Sequence, residues 1–253
     1  MKRRSIYLGI IAAALLMAMV FANSGFAQAQ QAQIQMYQVT TIKAKSGMAW
    51  DFAAFMKNEV VPLMKKNGLN EMQTWTTAFG DPDEFDILMP LKSMAELDGP
   101  GMFASVGQYE REALVAKLQR MVASTQFSII QSKPDLTIAM KPGYVRKIAT
   151  LMTNTVAIDR DEDFIKSSKN VMAAVRKTNA KAFLTSALSA GGNLSEYYTL
   201  CLFDSFADLD KFGEAYMKAL TEAKLAPQSG IVTKRELKIM RYAPELSIEP
   251  IAP

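Results

Sequence analysis

Apolar and polar positions alternate in short runs, separated by stretches of helical spacing. Tyr37, Val39 and Thr41 alternate with Met36, Gln38, Thr40 and Ile42, which predicts a strand over 36–44. Phe52, Ala53, Met56, Val60 and Leu63 then fall at helical spacing down to Lys66. Pro62 removes a backbone donor inside that pattern and predicts a kink, and Asn67-Gly68 ends the helix. Residues 70–79 hold Thr74, Trp75, Thr76 and Thr77, side chains that suit a pleated surface. The turn Gly80-Asp81-Pro82-Asp83 and an apolar run over 84–91 complete a hairpin. A short helix over 93–98, a breaker at Gly99-Pro100-Gly101, a long helix over 102–124 and a strand over 127–132 follow.

The order repeats. A strand over 145–154 precedes a helix that opens on Asp159–Asp163 and runs through Val175. A hairpin over 182–190 and 196–203, a short helix from Ser205, a longer one through Leu225 and a last strand over 232–242 complete it. Slid by 112 positions, the chain matches itself at 14 of 50 residues between Phe52 and Gly101, from Phe52/Phe164 to Gly101/Gly213. Chance gives about three, so the pattern reads as a tandem duplication. The expected fold is α+β: two tandem ferredoxin-like β-α-β-β-α-β domains over 36–138 and 144–247, joined by a linker at 139–143. At offset 112 Gly80 falls on Gly192 and Trp75 on Ala187, so the copy that keeps Trp75 is the first place to look for a site.

The amino terminus carries a different signal. Lys2, Arg3 and Arg4 precede an apolar run from Ile6 to Phe21, and Ala27-Gln28-Ala29 supplies small residues for cleavage. Residues 1–29 therefore read as a secretory signal peptide, 30–35 as a flexible leader and 248–253 as a loose tail. The expected location is periplasmic or secreted, with no membrane association after cleavage. The net charge of +4 falls to about +1 without the three leading cations, and no dense basic run remains, which argues against nucleic acid as a partner.

Two residue counts narrow the chemistry. The one cysteine, Cys201, cannot form an intramolecular disulfide, and its match to Met89 predicts a buried, inert thiol. There is no histidine, which removes imidazole bases, Ser-His and Cys-His nucleophiles and most zinc sites. The acids Asp159, Asp161, Glu162 and Asp163 lack the glycine and distal acid of a calcium loop and read as helix-start charges, so no metal and no cofactor are expected.

The strand over 37–42, the helix end Glu59-Val60-Val61-Pro62-Leu63-Met64-Lys65-Lys66-Asn67-Gly68 and the Trp75 strand resemble the dimeric α/β-barrel superfamily. So does the helix start Ser93-Met94-Ala95-Glu96-Leu97 that follows the hairpin. Within the superfamily the chain is similar to NIPSNAP-like and antibiotic-biosynthesis-monooxygenase-like domains. The resemblance implies two antiparallel sheets packed face to face, here as an intramolecular α/β barrel in a monomer or homodimer. Its members include cofactor-free monooxygenases, haem-degrading enzymes and chlorite dismutase-like haem proteins. Haem members generally use a histidine ligand, which this chain lacks.

Four residues are the candidate ligand contacts: Tyr37 on the first strand, Trp75, Arg146 at the start of the fifth, and Arg241 on the last. The tyrosine and tryptophan offer rings to an aromatic ligand. The arginines offer an anion anchor if the two strands are neighbours. No catalytic residue stands out. The expected function is binding of a small apolar or aromatic ligand, or of a protein partner, without catalysis. The alternative is a cofactor-independent oxygenase acting on a hydrophobic aromatic substrate.

Overall fold

A computed structural model describes residues 34–98, 106–223 and 228–250. The signal peptide, most of the leader and the end of the tail lie outside the described residues. Eight strands form the core: β1 (Met36–Ala44), β2 (Gln73–Phe79), β3 (Glu84–Leu91), β4 (Val122–Ser132), β5 (Ile148–Val156), β6 (Ala182–Ala190), β7 (Glu196–Phe203) and β8 (Val232–Tyr242). They close into an antiparallel barrel in the order β1-β3-β2-β8-β5-β7-β6-β4. The first four strands lie in the order β4-β1-β3-β2 and the last four in the order β8-β5-β7-β6. Two seams join these halves, β2–β8 and β4–β6. Each carries a one-residue register shift, at Thr77/Phe79 in one and Ile129/Ile130 in the other.

Helices pack on the outside. α1 (Ala49–Phe55) continues through a π-helical turn (Met56–Val60) into α2 (Val61–Lys66). The wide turn sits just before Pro62, whose ring and missing N–H disrupt the regular ladder at this point. α4 (Asp161–Val175) has Ala174 in the matching place and runs without a break. α3 (Gln108–Met121) and α5 (Phe206–Glu222) are the remaining long helices. Ser205 caps α5 by accepting from the Asp208 N–H at 3.1 Å.

Some expectations shift. The helix expected to reach Ser124 stops at Met121, and β4 starts immediately, because Ser124 and Gln126 pair with Lys43 and Thr41 of β1. The ladder to β1 overrides the helical pattern there. A short and a long helix were expected after Ser205; α5 is one continuous helix. Gln35 is tied to Ser132 by two hydrogen bonds, and Ile248 pairs with Met72, so the ends of the leader and tail nearest the barrel are held.

Strand alternation sorts side chains between helix layer and lumen. Ile42, Ala44, Phe85, Ile87 and Met89 face outward and pack against Phe52, Phe55, Met56 and Leu114 of the first-half helices. Trp75, Ala149, Ala182, Leu202, Met240 and Tyr242, with Leu88, Leu151, Leu184 and Leu200, form another cluster. Six strands contribute to it, which only the inside of the barrel allows.

Gly191 sits at the end of β6 with φ +88, and a Cβ there would lie 2.3 Å from the Phe127 carbonyl oxygen of β4. Gly191→Ala is therefore expected to destabilise the protein by more than about 1 kcal/mol, with a lowered midpoint in urea. Gly143→Ala has positive φ but open space and should cost less.

Candidate functional site in the barrel lumen

The lumen has an apolar floor and an ionic end. On β3, Glu84 and Asp86 share the inward face of Leu88; on β8, Lys238 shares that of Met240. Lys238 Nζ donates to Asp86 Oδ2 at 2.5 Å and to Glu84 Oε1. Thr41 Oγ1, on β1, donates to Asp86 Oδ1 at 2.8 Å. Both oxygens of Asp86 are thus held. The Asp86 side chain is 9% exposed and that of Glu84 24%, so Glu84 is the carboxylate nearer solvent. Lys43 and Asp81 form a further ion pair at 2.5 Å, with more exposed side chains.

Burial alone would push the Lys238 ammonium down. The Asp86 carboxylate, then Glu84, outweigh it and hold the group above its ordinary value. Lys238 is therefore a cation at neutral pH. Beside it on β2, Trp75 pairs in register with Asp86 on one side and Tyr242 on the other. The Trp75 and Tyr242 rings meet edge to face, 5.1 Å apart. Trp75 Nε1 and Thr77 Oγ1 are buried without a hydrogen-bond partner. Two orphaned polar atoms next to a buried ion cluster are the kind of feature a bound ligand or water satisfies.

Two of the four residues picked from sequence, Tyr37 and Arg146, gather at the opposite mouth, and Trp75 meets them through the Tyr242 ring. Tyr37 lies on the inward face of β1, and its hydroxyl is pushed up to about 12 by burial and then by Glu71, with Arg146 opposing. The Arg146 guanidinium lies 5.8 Å from the centre of the Tyr242 ring, and Tyr242 packs on Trp75. Arg241 is elsewhere. It neighbours Tyr242 in the strand, so it points outward, where it stacks 4.6 Å over Phe206 of α5. β5 and β8 are neighbours, as the pairing of the two arginines required, but the alternation of faces separates them.

The ionic end was not legible as a site, although one signal pointed to it. Asp86 is an acid flanked by Phe85 and Ile87 in an apolar strand, a setting from which aspartate is depleted. Lys238 lies in a strand with charges on both faces and carries no comparable mark.

Register also corrects the internal alignment. Ile130 pairs with Leu188 and Thr77 with Met240 across the two seams, so β2 matches β6 at an offset of 111. Trp75 then corresponds to Ser186 and Gly80 to Gly191, which share positive φ. An offset of 112 puts Trp75 on Ala187, which faces the other way. By the same registers Asp86 corresponds to Tyr198, Lys238 to Ser128 and Tyr37 to Ala149. The second half holds no ion cluster there; the Tyr198 hydroxyl donates to Glu196 at 2.6 Å.

Cys201 faces the helix layer with Ile148, Phe183 and Phe203, and burial pushes its thiol up to about 12. With no histidine in the chain there is no imidazole to hold haem, Cys201 is not a ready thiolate, and the hydroxyls of Tyr37 and Tyr242 are pushed up to about 12 and give no ready phenolate, so these residues do not fit that group. Among the described residues no group of acids, cysteine or histidine is arranged to bind a metal ion, and no helix is long and apolar enough to cross a membrane.

A pH effect follows from these shifts. Cys201, Tyr37, Tyr197, Tyr242 and Lys238 all have folded values raised above their unfolded ones. Their contribution to stability is complete below the unfolded values and is lost as pH rises through the folded ones. Urea midpoints should hold up to about pH 9 and fall steeply towards about pH 12. Native Cys201 should resist thiol reagents at pH 8 and react once unfolded.

No protein-family model and no curated protein matches the chain. Solved structures do. A putative monooxygenase from Lactobacillus acidophilus superposes with a TM-score of 0.56 at 10% identity, over 83% of this chain and 94% of that one. An anthrone oxidase-like protein gives 0.53 at 9% identity, over 84% and 92%. A mutant chlorite dismutase from Candidatus Nitrospira defluvii gives 0.53 at 11% identity, over 83% and 92%. These likenesses show the fold: the chain has the α+β barrel of monooxygenase and chlorite dismutase-like proteins. They also count against the expectation of a binding protein without catalysis, because these three are named as a putative monooxygenase, an anthrone oxidase-like protein and a chlorite dismutase. The oxygenase alternative fits them better.

Proposed function

We propose that this protein is an exported oxygenase that oxidises a hydrophobic aromatic substrate without a cofactor. The observation that carries the proposal is the Glu84–Lys238–Asp86 cluster beside Trp75, a base and a fixed cation next to an aromatic wall. An activated aromatic CH2 group loses a proton to Glu84, and Lys238 stabilises the resulting anion. The anion passes one electron to O2, and the radical and superoxide combine into a C–O bond. The peroxide loses its remaining C–H proton as the O–O bond breaks, which leaves a ketone and hydroxide. Hydroxide takes back the proton from Glu84. The balance is CH2 plus O2 to C=O plus water.

Asp86, held by Thr41, positions Lys238. Trp75 Nε1 and Thr77 Oγ1 are donors suited to a substrate oxygen. Tyr37 and Arg146 line the far mouth as further ligand contacts. The barrel itself we read as two fused ferredoxin-like copies of the dimeric α/β-barrel superfamily. The shared strand order and the matching seam shifts support that reading.

An oxygen electrode tests the function. Mature protein with anthrone or a related activated aromatic should consume O2 above the buffer rate. Glu84→Gln and Lys238→Met should each lower the rate by about 100-fold or more. Uptake at the buffer rate across a panel of such compounds sinks the proposal.

A further inference from the structure

The mouth opposite the ion cluster contains a cation whose partner comes from the end of the chain. After β8 the backbone turns through Pro244–Leu246 and is fastened at each step. Thr74 N donates to Ser247 Oγ at 2.9 Å, and Thr74 Oγ1 donates to the Leu246 carbonyl at 2.7 Å. Ile248 exchanges two backbone hydrogen bonds with Met72, at 2.7 and 2.9 Å. The next residue, Glu249, reaches back over the mouth. Its carboxylate accepts from Arg146 Nη1 at 3.2 Å and from the Tyr242 hydroxyl.

The two sides of this contact are unequal. The Arg146 side chain is 15% exposed, while that of Glu249 is 53% exposed. The cation is built into the wall and packs over the Tyr242 ring; the anion is a side chain beyond the last fastened residue. Tyr37, Arg146 and Tyr242 thus lie together at this mouth, Arg146 and Tyr242 already hold one carboxylate, and Trp75 packs against the Tyr242 ring. The same registers place Ala149, Ile34 and Ser132 at the matching positions of the other half, with Ala139 where Glu249 would be. That half has no charge in this place, so the Arg146–Glu249 contact is not a by-product of barrel closure.

We propose that the Arg146–Tyr242–Tyr37 mouth is a binding site for a carboxylate carried on an apolar aromatic body, and that Glu249 occupies it until such a ligand displaces it. Arg146 supplies the paired charge, Tyr242 donates a hydrogen bond, and Tyr37 and Tyr242 offer ring surface. The site stands whether or not the ionic end oxidises a substrate, because it needs neither Glu84 nor Lys238 and its test is binding alone.

The probe is 1-naphthoate, followed by isothermal titration calorimetry on the mature protein. Glu249→Gln keeps the size of the side chain and removes the competing charge. It should bind naphthoate at least about 10-fold more tightly than wild type. Adding Arg146→Met to Glu249→Gln should abolish that binding, and Arg146→Lys should restore part of it. Neutral 1-naphthylmethanol should gain little from Glu249→Gln. Equal affinity in wild type and Glu249→Gln overturns the proposal. So does undiminished binding by an Arg146→Met/Glu249→Gln double variant that melts like its parent.

Discussion

Lys238→Met is expected to destabilise the protein by about 3 kcal/mol at neutral pH, the range for removing one partner from a buried ion cluster. Methionine fills similar space, so little of the loss comes from a cavity. The cost arises because Glu84 and Asp86 are left facing each other inside the barrel without the cation that both contact. Protonating the stranded carboxylates relieves the repulsion. The gap from wild type should therefore be smaller in acid than at neutral pH. Chemical denaturation of the two proteins at pH 7 and pH 3.5 checks this. A constant gap across that range would mean that packing, not charge, is what the lysine contributes.

Trp75→Ala should cost about 4 kcal/mol, since the indole is fully buried at the centre of the lumen cluster and its neighbours come from a closed barrel that cannot collapse easily. For a chain of this size the melting midpoint should fall by about 10 °C. Trp75→Phe should lose much less, because Nε1 has no partner to forfeit. Added indole should restore part of the lost midpoint in Trp75→Ala by filling the space. A fall of only a degree or two in Trp75→Ala would show that the lumen repacks.

The fold was more legible in sequence than the site, for a physical reason. Alternation and helical spacing report which face of an element is apolar, and they placed β1, β3, β6, β7 and β8 at their observed ends. They do not report pairing, so β4 was begun too late: Val122–Gln126 become strand through the ladder to β1. The repeat suggested two similar halves. It could not show that β2 and β6 differ by one residue in offset, and with side chains alternating at every step that single residue moves Trp75's counterpart from Ala187 to Ser186.

Tyr37, Trp75 and Arg146 were found because aromatic and guanidinium groups draw notice in any strand. Arg241 was grouped with them on strand proximity, and its outward face undoes that. Glu84, Asp86 and Lys238 were missed since a salt bridge that spans 152 residues is marked locally only by Asp86 in its apolar strand, and nothing there names the partner. Glu249 lay in a tail that reads as loose; the bonds of Thr74 to Leu246 and Ser247 and the pairing of Ile248 with Met72 hold it at the mouth.

The two halves are unequal where it matters for chemistry. The first half and β8 together carry Trp75, Glu84, Asp86 and Lys238, while the corresponding positions carry Ser186, Glu196, Tyr198 and Ser128. If the proposed oxidation takes place, that asymmetry predicts a single reactive centre per barrel.

The most direct measurement of the central claim is the ratio of O2 consumed to ketone formed, with wild type and Glu84→Gln side by side. One O2 per ketone is expected, with no hydrogen peroxide released and a rate lowered by about 100-fold in Glu84→Gln while its melting midpoint stays close to wild type. Ketone formation at the same rate in both proteins, or none above buffer in either, would contradict it.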